Sequence, residues 1–168
     1  MSKDKDRAYI PAAEVKASQA NDPDYLAMRA RKDEKFRKLR EKYAELERPL
    51  LERLRLQGYQ ADSISDLIKR YAPLPSALVE IVLTSIDECA DDVTKEWMIR
   101  ALAAAGQPFD GRKLCELYDR TNNIQLKWAI ANTIASSKPH SIDDWLEKAS
   151  QDAYLRTTLQ KLGFSWMT

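Results

Sequence analysis

The chain has one histidine, two cysteines, four glycines and three phenylalanines in 168 residues. Each scarcity closes off a class of function. Nucleophilic catalysis of the Ser-His-Asp or Cys-His kind needs an imidazole, and His140 is the only one. It follows Pro139 in a predicted loop, with no second histidine or cysteine beside it. No catalytic residue and no metal site is therefore expected. Cys89 and Cys115 lack CxxC spacing and read as small buried or half-buried thiols of a reducing compartment. No glycine-rich phosphate loop occurs, and no cofactor is expected. Few glycines and no alternating apolar/polar run argue against a β-rich fold. No apolar run approaches the roughly 18 residues of a membrane span. The charged opening Met1-Ser-Lys-Asp-Lys-Asp has no apolar stretch behind it, so a secretory signal is not expected and a cytoplasmic location is.

What is present is a helix-forming composition. Ala, Leu, Lys, Glu and Arg dominate, and a hydrophobic content of 44% is enough for a core. The expected class is all-α. The net charge of +1 favours no polyanion, but its distribution is uneven. Residues 29–55 carry 11 basic and 6 acidic side chains, and residues 56–168 carry 12 and 15. A basic N-terminal helix thus precedes a mildly acidic body.

Residues 1–21 are polar, interrupted by Pro11, and expected to be a flexible tail in which Tyr9-Ile10-Pro11 can dock as a short extended piece. Asn21-Asp22-Pro23-Asp24 signals a helix start. Residues 22–48 then read as a long charged helix with apolar residues at Phe36, Leu39, Tyr43, Leu46 and Leu50. That 3-4-3-4 spacing makes a heptad-like seam, which can pack on the body or on a second copy of itself. Pro49 either kinks the helix or begins the next. The basic run Arg29, Arg31, Lys32, Lys35, Arg37, Lys38 is a candidate polyanion-binding segment. Its charges lie around most of the helix and alternate with Asp33, Glu34 and Glu41, which fits a solvated helix as well.

Residues 49–168 read as a repeat domain. Shifted by 32 positions, Lys95 falls on Lys127, Met98 on Ile130, Ala101 on Thr133, Leu102 on Ile134 and Ala103 on Ala135. A period near 30 with two helices per unit predicts an α-solenoid of about four antiparallel pairs, roughly 48–71, 76–105, 110–137 and 141–162. Asp110 and Ser141 are expected to cap first helices. The helix from Ser76 to Asp87 is expected to be the most buried, and Phe164 and Trp166 to fold back over the open end. Trp97, Trp145 and Trp166 read as core or cap residues.

The run Leu126-Lys127-Trp128-Ala129-Ile130-Ala131-Asn132, with Lys95-Glu96 and Ile99-Arg100-Ala101-Leu102 in the unit before it, resembles HEAT-like repeat proteins, in particular a group of small bacterial ones. The resemblance covers residues 61–162. It implies a stacked-helix scaffold that binds protein partners along the face of its second helices. Some HEAT-like proteins are DNA glycosylases, so the resemblance also admits nucleic-acid binding as an alternative.

Helical geometry assigns Thr94, Met98, Ala101 and Leu102, and Leu126, Ile130, Thr133 and Ile134, to the inner stripes. The opposite edge presents Lys95, Glu96, Arg100, Lys127, Trp128 and Asn132, an aromatic flanked by cations. The leading expectation is a non-enzymatic adaptor, inhibitor or immunity-type protein that holds its partner on that edge. Self-association through the Phe36–Leu50 seam is a further expectation.

Overall fold

The computed structural model describes Pro11, residues 19–161 and Gly163. The Tyr9-Ile10 element and most of the expected tail lie outside the described residues. So do Leu162, Phe164 and Trp166, the last two expected at the open end, and the side chain of Tyr154. The described residues contain α-helices and no β-strand, so the protein is all-α. None of these helices is long and apolar enough to cross a membrane. Residues 1–42 and 43–168 form two compact units.

Helix α1 spans Pro23–Leu56. Asp22 Oδ1 accepts the N–H groups of Asp24 (2.9 Å) and Tyr25 (3.3 Å), satisfying donors that a helix start leaves open. Pro49 lies inside α1 and begins no new helix. Proline removes one helical hydrogen bond, but the turns beyond it are held by Leu50, Leu51 and Leu54, at most 7% exposed. Gly58 ends the helix at φ 84, where only glycine is unstrained, and Tyr59 N–H closes back on the Leu54 carbonyl at 2.9 Å.

The larger unit continues with α2 (Ile64–Tyr71), α3 (Ser76–Glu88), α4 (Asp92–Leu102), α5 (Arg112–Arg120), α6 (Ile124–Ser137), α7 (Asp143–Gln151) and α8 (Ala153–Lys161). Ser63, Asp91 and Asn123 cap α2, α4 and α6 with side-chain oxygens. Neither Asp110 nor Ser141 occupies the N-cap position as expected, although Asp110 still accepts the first open N–H of α5. The N-cap positions of α5 and α7 are Gly111 and Ile142. Only glycine fits at position 111, where a Cβ would meet Ile142 Cγ2 at 2.5 Å. Asp110 instead accepts the Arg112 N–H at 3.0 Å and grips its guanidinium.

The contacts follow a pattern. Helices α3 and α4, α5 and α6, and α7 and α8 touch in consecutive pairs, while α2 touches α4, α4 touches α6 most extensively, and α6 touches α8. Two isolated parallel bridges join loops, Leu74 with Ala105 and Asp110 with His140. One apolar core runs from Leu50 to Leu159. The 32-residue register appears in the burial. Thr94 and Leu126, Met98 and Ile130, Ala101 and Thr133, and Leu102 and Ile134 are all buried, and the caps Asp91 and Asn123 match. Helix α6 buries seven residues and α3 six, so the expectation that the Ser76 helix is the most buried does not hold. Packing on α4, α5 and α8 accounts for the burial of α6.

Candidate functional site

The site is built on α4 and α6, which lie side by side. Glu96 and Arg100 are one turn apart on α4, and Arg100 Nε and Nη2 both donate to Glu96 Oε1, at 2.9 and 2.7 Å. Both side chains are at most about one third exposed, 32% and 22%. The guanidinium so fixed lies over the Trp128 ring of α6, 5.3 Å from its centre. Trp128 itself remains 42% exposed. One residue earlier, Lys127 Nζ sits 4.9 Å above the Tyr118 ring of α5. Tyr118 meets the buried Trp145 edge-on at 5.3 Å. Each cation thus rests on an aromatic face whose quadrupole favours it.

Beside Trp128 lies a groove of about 270 Å³. Ile124, Lys127, Trp128 and Ala131 of α6 form one wall, Leu155 and Thr158 of α8 the other, with Tyr118 at the side. Of the six residues expected on this edge, Glu96, Arg100 and Trp128 meet in one contact, and Lys127 joins Trp128 through the groove. Lys95 and Asn132 are half-buried, and no side-chain hydrogen bond or ion pair ties them to that contact among the described residues. Tyr118, Ile124 and Leu155 were missed. The α6 stripe at 124, 127, 128 and 131 has helical spacing that a sequence can reveal. Leu155 enters only because α8 packs on α6. Of the tryptophans expected in the core or at a cap, Trp97 is 46% exposed and lies outside the core, whereas Trp145 is buried.

Neither a family model, nor a curated protein, nor a solved structure matches this chain.

The other candidates are organised differently. Arg37 is clasped between Glu34 (2.8 Å) and Glu41 (2.6 Å). Lys38 lies 3.6 Å from Glu34, and Arg29 3.9 Å from Asp33. Lys32 lies over the Phe36 ring at 5.8 Å, and Arg31 and Lys35 are exposed. Much of the basic run is thus compensated on its own helix. Along the seam, Phe36 and Leu39 are exposed, Tyr43 and Leu46 half-buried. Leu50 is 1% exposed and belongs to the core, so it adds nothing to a free seam.

His140 has Ser141 Oγ 2.9 Å from its Nδ1, with Asp110 bridged to it through the backbone. Three residue types of a hydrolytic triad are thus neighbours, but their roles differ. Ser141 is the adjacent residue, at φ 62, and its hydroxyl meets the imidazole from the next position in the chain. Arg112 holds the Asp110 carboxyl down at about 2 and occupies it. In a triad the acid orients the imidazole; here it faces a guanidinium. Burial pushes the Cys115 thiol up to about 12 and raises that of Cys89, which disfavours the reactive thiolate.

Proposed function

We propose that this chain is a non-enzymatic protein-binding module built as a HEAT-like α-solenoid. Its partner lies along the edge of α4 and α6 formed by Lys95, Glu96, Arg100, Lys127, Trp128 and Asn132. The solenoid reading is supported by the contact series α2, α4, α6, α8 with a paired helix beside each of the last three. The loop bridges support antiparallel pairing. Leu74 enters α3 and Ala105 leaves α4; Asp110 enters α5 and His140 leaves α6. In each pair the start of the first helix is beside the end of the second. Hydrogen bonds at similar separations support stacking of the units: Thr133 Oγ1 to the Ile99 carbonyl (2.9 Å) and Asn123 Nδ2 to Asp92 Oδ2 (2.9 Å).

The observation that carries the binding reading is the braced tryptophan. Trp128 stays 42% exposed with one face on a guanidinium that Glu96 locks in place. A rigid, half-exposed aromatic next to an apolar groove is how interface anchors are built. The local ion pairs of the basic helix favour a protein partner over a polyanion.

The test is quantitative capture from source cells with the tagged chain and with Trp128→Ala, folding of both being checked by circular dichroism. One stoichiometric protein retained by the parent chain and lost by the variant is expected. A partner retained equally by both, or retention of duplex DNA at physiological salt with no protein partner, overturns the reading.

A further inference from the structure

We propose that the groove between α6 and α8 receives an acidic amphipathic helix of a partner protein, with a large apolar side chain in the groove and a carboxylate against Lys127. This rests on the binding-module reading and names the chemistry of the partner.

The walls of the groove are helical ridges. Ile124, Lys127, Trp128 and Ala131 follow i, i+3, i+4, i+7 on α6, and Leu155 and Thr158 follow i, i+3 on α8. Two such ridges form the bed into which a third helix packs. The volume, about 270 Å³, is below the usual range for a whole small-molecule ligand. It suits one or two side chains entering from a larger body. Ile124 and Trp128 leave much of their apolar surface in water, at 71% and 42% exposure, which a covering helix would remove.

The charge argues for the sign of the partner. Lys127 is the one ionic side chain among the described residues lining the groove. No ion pair joins it to a described acidic residue, and its ammonium rests on the Tyr118 ring. Arg100, beyond Trp128, is already neutralised by Glu96. Among the described residues, the groove therefore presents an apolar floor and one positive charge with no acidic partner. A carboxylate on the incoming helix complements it, and a partner cation is repelled.

Two synthetic helical peptides, each about five turns long, test this. Both carry the same leucine stripe, flanked by glutamates in one and by lysines in the other. Each is titrated by calorimetry into the full chain and into Lys127→Glu. The glutamate peptide is expected to bind about tenfold more tightly to the parent chain, and Lys127→Glu to invert the order. Replacing the leucines of the glutamate peptide by alanine should abolish binding. Equal affinities, or a preference that Lys127→Glu leaves unchanged, overturn the proposal. So does groove coverage by a second copy, seen as concentration-dependent dimerisation that Trp128→Ala removes. Dodecanoate that binds the groove more tightly than either peptide also overturns it, in favour of a small amphiphile. If the peptides fail while Trp128→Ala still loses the cellular partner, the binding-module reading stands and only the acidic-helix chemistry falls.

Discussion

Arg100 on α4 and Trp128 on α6 are joined by a cation–π stack at 5.3 Å, with the cation held by Glu96 on its own helix. The pair links α4 and α6 at the surface, where such stacks contribute about 0.5–1 kcal/mol. A double-mutant cycle of Arg100→Ala and Trp128→Ala, read by urea denaturation, should give a coupling energy in that range. Glu96→Gln should weaken the coupling without removing the stack. Strictly additive single losses would mean that the stack contributes nothing to stability.

A second link between the same helices is buried. Thr133 Oγ1 donates to the Ile99 carbonyl at 2.9 Å, and Thr133 is 0% exposed. Thr133→Val keeps the shape and deletes the donor. The expected loss is about 1–2 kcal/mol, since a buried carbonyl loses a partner. Thr133→Ser, which retains the hydroxyl, should recover part of it. A valine variant as stable as the parent would show that the carbonyl is satisfied elsewhere.

Much of this was legible in the sequence, and the parts that were not have physical reasons. The 32-residue register was visible because it is carried by apolar positions, and burial at Met98 and Ile130 or Leu102 and Ile134 follows it. The helix start at Asp22 was visible because a short polar side chain must meet an open N–H. Asp110 and Ser141 carry the same signal, but α5 and α7 begin one residue later, with Gly111 seated where a Cβ would meet Ile142. That contact is tertiary. The edge holding Glu96, Arg100 and Trp128 follows from helical spacing, whereas Leu155 joins the groove only through packing of α8. Trp97 was misjudged because a tryptophan on an amphipathic helix usually faces inward; here Met98 and Ile99 fill the inner positions.

Gly111 offers a steric test. Its φ is −87, so alanine meets no backbone strain, but the added Cβ would lie 2.5 Å from Ile142 Cγ2 and 2.9 Å from Pro139 Cγ. Gly111→Ala should cost about 1–3 kcal/mol, as overpacking does. Trimming the buried Ile142 to alanine should cost less in the Gly111→Ala chain than in the parent, because it removes the clashing methyl. At Gly58 the cause is reversed: nothing lies within 4 Å, and φ is 84. Gly58→Ala should cost about 1 kcal/mol from conformation alone, with no rescue by any neighbour. Thermal melts of Gly111→Ala, Ile142→Ala, the two combined and Gly58→Ala separate the two mechanisms.

Two carboxylates should give opposite pH responses. Asp87 accepts from Lys113 of α5 at 2.9 Å and from Arg120 at 3.1 Å, and the Lys113 bond leads in holding its carboxyl below the usual range. The folded chain then binds fewer protons there than the unfolded chain. The stabilisation is complete above the ordinary aspartate value of about 3.9 and is lost as pH falls through the lowered folded value. Asp87→Asn should therefore be less stable than the parent at neutral pH, and the gap should close in acid. Glu47 is shifted the other way: desolvation raises its carboxyl, partly opposed by the Ile64 N–H that it accepts at 3.0 Å. Here the folded chain holds its proton longer. Stability falls as pH rises from the ordinary glutamate value of about 4.3 through the raised folded value. Glu47→Gln keeps an acceptor for Ile64 and removes the charge, so its stability relative to the parent should improve as pH rises through that window. Urea denaturation of all three chains from about pH 3 to pH 7 reads both effects. A pH-independent gap for Asp87→Asn would assign its loss to packing, and a relative loss for Glu47→Gln on raising the pH would mean that the carboxylate is the better partner for Ile64.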